Sequence, residues 1–234
     1  MSTSAQATAA IINDDEREQD MWSLQVEEAG YQPYVVQRPH GRAFGSVDEL
    51  AKEVENNARF AVFDHRLAPG DMAQFTGAEI VAALYDRRRT APLLVTTWEK
   101  IDRDTTIRLY RRKVPILLSS ENFDDPETIR ECFRVCGREV WNGELPLQRR
   151  PWRTIIQIEE VDWKTNTVVA LVPGWNPDVK VRLPLDLIDR QLHGRVESGR
   201  HFFARINIGA EREEDLFFGD FELAPEVDPN DGLA

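Results

Sequence analysis

Five short runs of apolar residues mark the first half of this chain, and none alternates with polar residues: Ala9–Ile12, Gln32–Gln37 around Tyr34-Val35-Val36, Phe60–Phe63, Pro92–Thr96 and Val114–Leu118. A strand that is apolar on both faces must be covered on both faces, which is the condition of a parallel sheet. Helical periodicity fills the intervals. Arg17–Ala29 offers Met21, Leu24 and Ala29 and stops at Gly30. Ser46 and Glu49 read as a capping box ahead of Val47, Leu50, Ala51 and Val54. Gly77–Arg88 turns Ile80, Val81 and Leu84 inward, and a polar helical stretch runs to about Leu109. A last helix from Asp125 carries Ile129, Cys132, Phe133, Cys136 and Val140. Strands alternating with helices, joined by right-handed crossovers, make a three-layer α/β domain.

In a flavodoxin-like order 2-1-3-4-5 the carboxyl ends of strands 1, 3 and 4 meet at the topological switch point, where open α/β sheets bind their ligands. Here those ends carry Asp14 and Asp15, Asp64, and Thr96. Asp64 closes an apolar run abruptly, and a Pro69-Gly70 turn signal follows. A plainer reading has Asp64 opening a loop, and Asp14 and Asp15 sitting at a helix N-terminus where the dipole favours carboxylates.

These features together resemble the receiver domain of bacterial two-component response regulators. The resemblance spans residues 7–142 and rests on Asp14-Asp15-Glu16, Asp64, the Pro-Gly turn with the later Gly77-Ala78-Glu79 helix start, and Val95-Thr96. It implies phosphoryl transfer from a sensor kinase's phosphohistidine onto Asp64. It further implies Mg²⁺ held by Asp14, Asp15, Asp64 and the Arg66 carbonyl, with the Thr96 hydroxyl on a phosphate oxygen. The family's strand-5 lysine is missing, and Ser119-Ser120 stands in its place. Lys100, Arg66 and His65 lie in loops on the correct side of the sheet, whereas Arg111, Arg112 and Lys113 precede strand 5 and lie at its far end. The departure opens a second reading, a silent pseudo-receiver serving as adaptor or scaffold in a protein assembly.

Beyond Gly143–Pro151, a linker with Gly and Pro, the period changes to two. Strands are expected at Thr154–Val161, Thr167–Val172, Val179–Leu183, Phe202–Ile208 and Asp215–Leu223, with a short helix over Leu185–Leu192. Five short strands point to a small antiparallel barrel-like domain, SH3-like or OB-like. The division is therefore a tail (1–8), a receiver-like domain (9–142), a linker (143–151), a β domain (152–224) and an acidic tail (225–234).

Charge narrows the function further. The net charge is −12, and residues 146–234 hold 11 Lys/Arg against 16 Asp/Glu, leaving −7 for the first 145. Nucleic acid is thus an unfavoured partner, although Trp163, Trp175, Phe202 and Phe203 are of the kind that stack on bases. Core packing accounts for them more simply. His193 and His201 have no cysteine near them to complete a metal site. Cys132 and Cys136, four apart on one helix, do not suit a disulfide. No apolar run reaches membrane-spanning length, and the first ten residues lack the basic and apolar regions of a signal peptide. The expectation is a cytoplasmic signalling protein that is not an enzyme beyond phosphorylating itself. Its partner is a sensor kinase or an assembly component, with a homodimer left open.

Overall fold

The structure, a computed structural model, describes residues 6–67, 72–97 and 105–225. It divides into two compact units, Met1–Leu145 and Pro146–Ala234. The Pro69-Gly70 turn signal and Lys100 lie outside the described residues.

The first unit is built on β1 (Thr8–Ile12), β2 (Gln32–Val35), β3 (Phe60–Asp64), β4 (Ala91–Thr96) and β5 (Leu117–Ser119). They form one parallel sheet in the order β2-β1-β3-β4-β5. The helices are α1 (Glu16–Glu28), α2 (Val47–Asn57), α3 (Gly77–Arg87), α4 (Thr105–Tyr110) and α5 (Pro126–Gly137). Successive strand residues face opposite ways, which explains the unbroken apolar runs. Ala10, Ile12, Ala61, Phe63 and Leu94 pack with Leu50 and Val54 of α2, Ile80 and Leu84 of α3 and Ile107 of α4. Their neighbours Ala9, Ile11, Val62, Leu93 and Val95 pack with Trp22 and Val26 of α1 and Ile129 and Phe133 of α5. The N-terminal unit has the flavodoxin-like fold.

Local details depart from the sequence reading. The buried stripe of α1 is Trp22, Val26 and Ala29, while Met21 and Leu24 are exposed. The phase is set by Trp22, whose ring packs on Phe123 at 5.0 Å. The Ser46 hydroxyl accepts the Glu49 N–H at 3.2 Å, but the Glu49 carboxylate reaches back to the N–H of Gly45 instead. The complete capping box is Thr76 with Glu79, at the start of α3. β5 begins at Leu117, not Val114, because a 3-10 turn over Arg111–Lys113 ends on Val114, whose carbonyl accepts from the buried Arg111 guanidinium.

The second unit is one antiparallel sheet of β6 (Trp152–Asp162), β7 (Thr167–Val172), β8 (Asn176–Pro184), β9 (His201–Ile206) and β10 (Phe218–Leu223). Its order is β10-β9-β6-β7-β8. Among the described residues no pairing joins β8 to β10, so the small β domain is an open sheet rather than a hydrogen-bonded closed barrel. Its apolar face is covered instead by Leu185, Ile188, Val196 and Leu216, which lie in or beside 3-10 turns. Two of those turns, Leu185–Leu187 and Arg190–Arg195, replace the expected helix.

Leu147–Arg149 forms a further 3-10 turn whose arginine is buried, so part of the expected linker is ordered. The exposed Glu144 precedes it. A glutamate-specific protease is therefore expected to cut first at Glu144, while trypsin spares Arg149. Fragments mapped by mass spectrometry check this; early cuts inside either sheet with Glu144 untouched would contradict it.

Candidate functional site

At the carboxyl edge of the parallel sheet lies a cleft of about 270 Å³, lined by carboxylates, hydroxyls and one arginine. Asp64 ends the central strand there, paired in register with Val95. Its Oδ2 accepts the Arg66 N–H at 3.1 Å. Burial first, and the Asp14 carboxylate second, push Asp64 from its ordinary 3.8 up to about 6. A strand-end carboxyl so placed holds its proton to a higher pH than an ordinary aspartate does.

The acidic turn after β1 is braced by Asn13, which is fully buried. Its Oδ1 accepts the Asp15 N–H at 2.9 Å, its Nδ2 donates to Glu18 Oε2 at 2.7 Å, and its carbonyl accepts from Gln19 Nε2 at 2.6 Å. Asp15 caps α1, its Oδ1 accepting from the N–H groups of Arg17 and Glu18 at 2.8 and 3.3 Å. Asp14 makes no such cap and faces the cleft with Glu18 and Trp22 of α1. Glu18 and Trp22 follow Asp15 by three and seven residues, which puts all three on one side of the helix. That spacing was the available signal for both; nothing in the sequence singled out Asn13.

Thr96 ends β4, only 3% exposed, in register with Ser119 of β5, 1% exposed. Neither Thr96 Oγ1 nor Ser119 Oγ has a hydrogen-bond partner among the described residues. Thr96 lines the cleft; Ser119 does not, and Ser120 lines it instead. Buried hydroxyls normally find partners, so an orphan at a cleft wall marks a place for a ligand's acceptor. His65 is buried and does not line the cleft, its backbone N–H donating to the Val95 carbonyl at 3.0 Å and its own carbonyl receiving the Gly77 N–H at 3.0 Å. Lys113 points elsewhere, to Asp86 at 2.6 Å.

The side chains of the cleft that could ligate a metal are carboxylates and hydroxyls, with no imidazole or thiol among them, a hard-oxygen set that suits Mg²⁺. Among the described residues, however, no three His, Cys, Asp or Glu side chains stand close enough to share one ion. With Asp15 engaged as a cap, the residues fit a hydrated ion on one or two carboxylates, as Mg²⁺ commonly binds, rather than a three-carboxylate cage.

In the second unit the aromatic residues divide. Phe202 is buried, and Trp175 packs against the core with its Nε1 donating to the Ala210 carbonyl at 2.8 Å. Phe203 lies under the Arg153 guanidinium at 3.7 Å, and Trp163 is exposed. They form no single stacking surface. His193 is held by the Ile188 carbonyl at 2.9 Å, and His201 is exposed on β9. No described helix is long and apolar enough to cross a membrane.

No protein-family model and no curated protein matches this chain. Among solved structures it is similar to the signal receiver domain of an HD domain-containing protein from Pseudomonas fluorescens, at 10% identity and TM-score 0.44 over 61% of this chain and 95% of that one. It is also similar to a chemotaxis response regulator of Vibrio cholerae, at 20% identity and TM-score 0.40 over 56% and 99%. A third is a Burkholderia pseudomallei response regulator with a phosphorylated aspartic acid, a calcium ion and citrate, at 17% identity and TM-score 0.41 over 59% and 72%. At these values the likeness adds nothing to the strand order, on which the fold assignment rests.

Proposed function

We propose that the N-terminal unit is a response-regulator-like receiver and that Asp64 is its phosphoacceptor. The observation that carries this reading is the sharing of one cleft by a central strand-end aspartate, the Asp14 carboxylate and the orphaned Thr96 hydroxyl. In the reaction an Asp64 carboxylate oxygen attacks phosphorus as the donor's P–N bond breaks. The departing imidazole keeps that electron pair and takes up a proton, and the Thr96 hydroxyl donates to a phosphoryl oxygen. A divalent cation held by Asp14 and Asp64, with the Arg66 carbonyl, would offset the charge between carboxylate and phosphoryl group. The reading implies a cytoplasmic chain, a sensor kinase as phosphodonor, and the β domain passing the signal to a protein through a sheet face or edge.

One observation favours the adaptor reading as an alternative: the end of β5 presents Ser120 to the cleft and no cation. A hydroxyl offers a weaker bond to a dianionic phosphoryl group than a charged donor does. Treatment of the full chain with acetyl phosphate and Mg²⁺, read by intact-mass spectrometry, tests both readings. Partial labelling by one phosphoryl group, lost in Asp64→Asn, is the expected outcome. Complete and persistent labelling would exclude the adaptor reading, and no labelling at all would exclude the phosphoacceptor.

A further inference from the structure

We propose that Arg66 supplies the positive charge that a phosphoryl group on Asp64 requires, taking the part that the end of β5 leaves unfilled. The inference rests on the reading of Asp64 as the acceptor and goes beyond it by naming the group that holds the added anion.

The cleft is a built site as well as an acidic cluster, because a nearly fully buried, unpartnered Thr96 hydroxyl lines it. Its charge is one-sided: Asp14, Asp15, Glu18 and Asp64 line it against the single cation Arg66 among the described residues. A phosphoryl group adds nearly two further negative charges. A divalent ion on Asp14 and Asp64 would offset part of this charge, and a cation of the protein beside the acceptor would offset more. Arg111 is turned into the protein toward the Val114 carbonyl, Lys113 is bound to Asp86, and His65 is not part of the cleft wall.

Arg66 meets the requirement by construction. Its N–H donates to Asp64 Oδ2 at 3.1 Å, which tethers it two residues from the acceptor whatever its side chain does. The side chain is exposed and makes no ion pair with another described residue. A guanidinium is planar, always charged, and able to grip two phosphoryl oxygens at once, whereas a lysine acts as a point charge. The phosphoryl group is then held from the loop after β3 and by the Thr96 hydroxyl, not from β5.

Beryllofluoride, a phosphoryl mimic, titrated into the full chain at saturating Mg²⁺ and followed by amide NMR shifts, is the test. Arg66→Ala is expected to weaken its binding about tenfold or more, with Arg66→Lys between it and the native chain, because a charge-assisted contact is lost. Adding Ser120→Lys to the Arg66→Ala chain is expected to recover most of the affinity by placing a cation on the opposite wall, a rescue that a merely structural role would not show. If Arg66→Ala bound as tightly as the native chain while Asp64→Asn did not bind, Arg66 would be the wrong residue and the acceptor reading would stand. If the native chain itself failed to bind, the acceptor reading would fall and this inference with it. If Arg66→Ala melts early, the neutral Arg66→Gln takes its place, and native affinity in that variant would equally overturn the proposal.

Discussion

Replacing Gly77 with alanine is expected to cost the N-terminal unit about 3 kcal/mol, at the upper end of what overpacking usually costs. A Cβ built at this position would lie 2.1 Å from the Asp64 carbonyl oxygen and 2.8 Å from the His65 Cα. Both are backbone atoms at the end of the central strand, so no side chain can rotate away to make room. The complete Thr76–Glu79 capping box fixes the start of α3, and the Gly77 N–H is bonded to the His65 carbonyl at 3.0 Å. Relief must therefore come from moving α3 off the sheet or moving the strand end that carries Asp64. Thermal unfolding should show a melting temperature about 10 °C lower, at roughly 3 °C per kcal/mol for a unit of this size. Acetyl phosphate labelling of Asp64 should fall with it. A melting point within about 2 °C of the native chain, where the scaling allows less than 1 kcal/mol, would show that the close approach is tolerated.

Asp64→Asn should have the opposite effect on stability. In the presence of EDTA at pH 8 the variant is expected to be about 2–3 kcal/mol more stable, since each unit of pKa shift is worth about 1.4 kcal/mol. The sign follows from the direction of the shift. Folding raises Asp64 from 3.8 to about 6, so between those values the folded chain holds a proton that the unfolded chain has lost. Native stability from this group is full below the lower value, declines as pH rises through the window, and is lost above the upper value. Asparagine keeps the carbonyl acceptor for the Arg66 N–H and removes the charge that burial and Asp14 oppose. Urea unfolding at several pH values should show the variant's advantage shrinking toward zero by about pH 4, below the window in which protons are exchanged. An advantage that did not change with pH, or a less stable variant at pH 8, would mean that Asp64 is not held under this strain. Mg²⁺ should raise the stability of the native chain and leave the variant nearly unchanged, because the cation offsets the same repulsion.

Asp64 could be picked out from the sequence because a carboxylate directly after Phe60–Phe63 can only sit where a buried strand leaves the core. Thr96 could be picked out for the same reason. Asn13 could not; Glu18 offered only its three-residue spacing from Asp15, and the Ser119-Ser120 pair did not show which of the two would matter. Glu18 reaches the cleft only because α1 starts on the Asp15 cap and takes its phase from Trp22 packing on Phe123. The expected stripe of Met21 and Leu24 failed because a helix with few apolar residues does not declare its inward face. Tertiary packing chose the one that buries the larger ring. Ser119 and Ser120 are chemically identical, so which of them lines the cleft was decided by where β5 begins and how its Ser119 pairs with Thr96.

The alternation of strands and helices in the first unit, the class of its sheet, and the change to period-two strands after residue 151 are all written into the order of the residues. Those are set by local spacing of apolar residues, which a parallel, doubly covered sheet and a half-covered antiparallel one impose differently. The folded arrangement adds that the second sheet is open among the described residues, with its apolar face covered by 3-10 turns, and that Gly77 must lack a side chain. It also makes Asp15 the cap of α1 rather than a member of a carboxylate trio, and makes Arg66 the one cation among the described residues that lines the cleft. Each of these depends on which distant segments of the chain come into contact, and spacing along the chain carries no record of that.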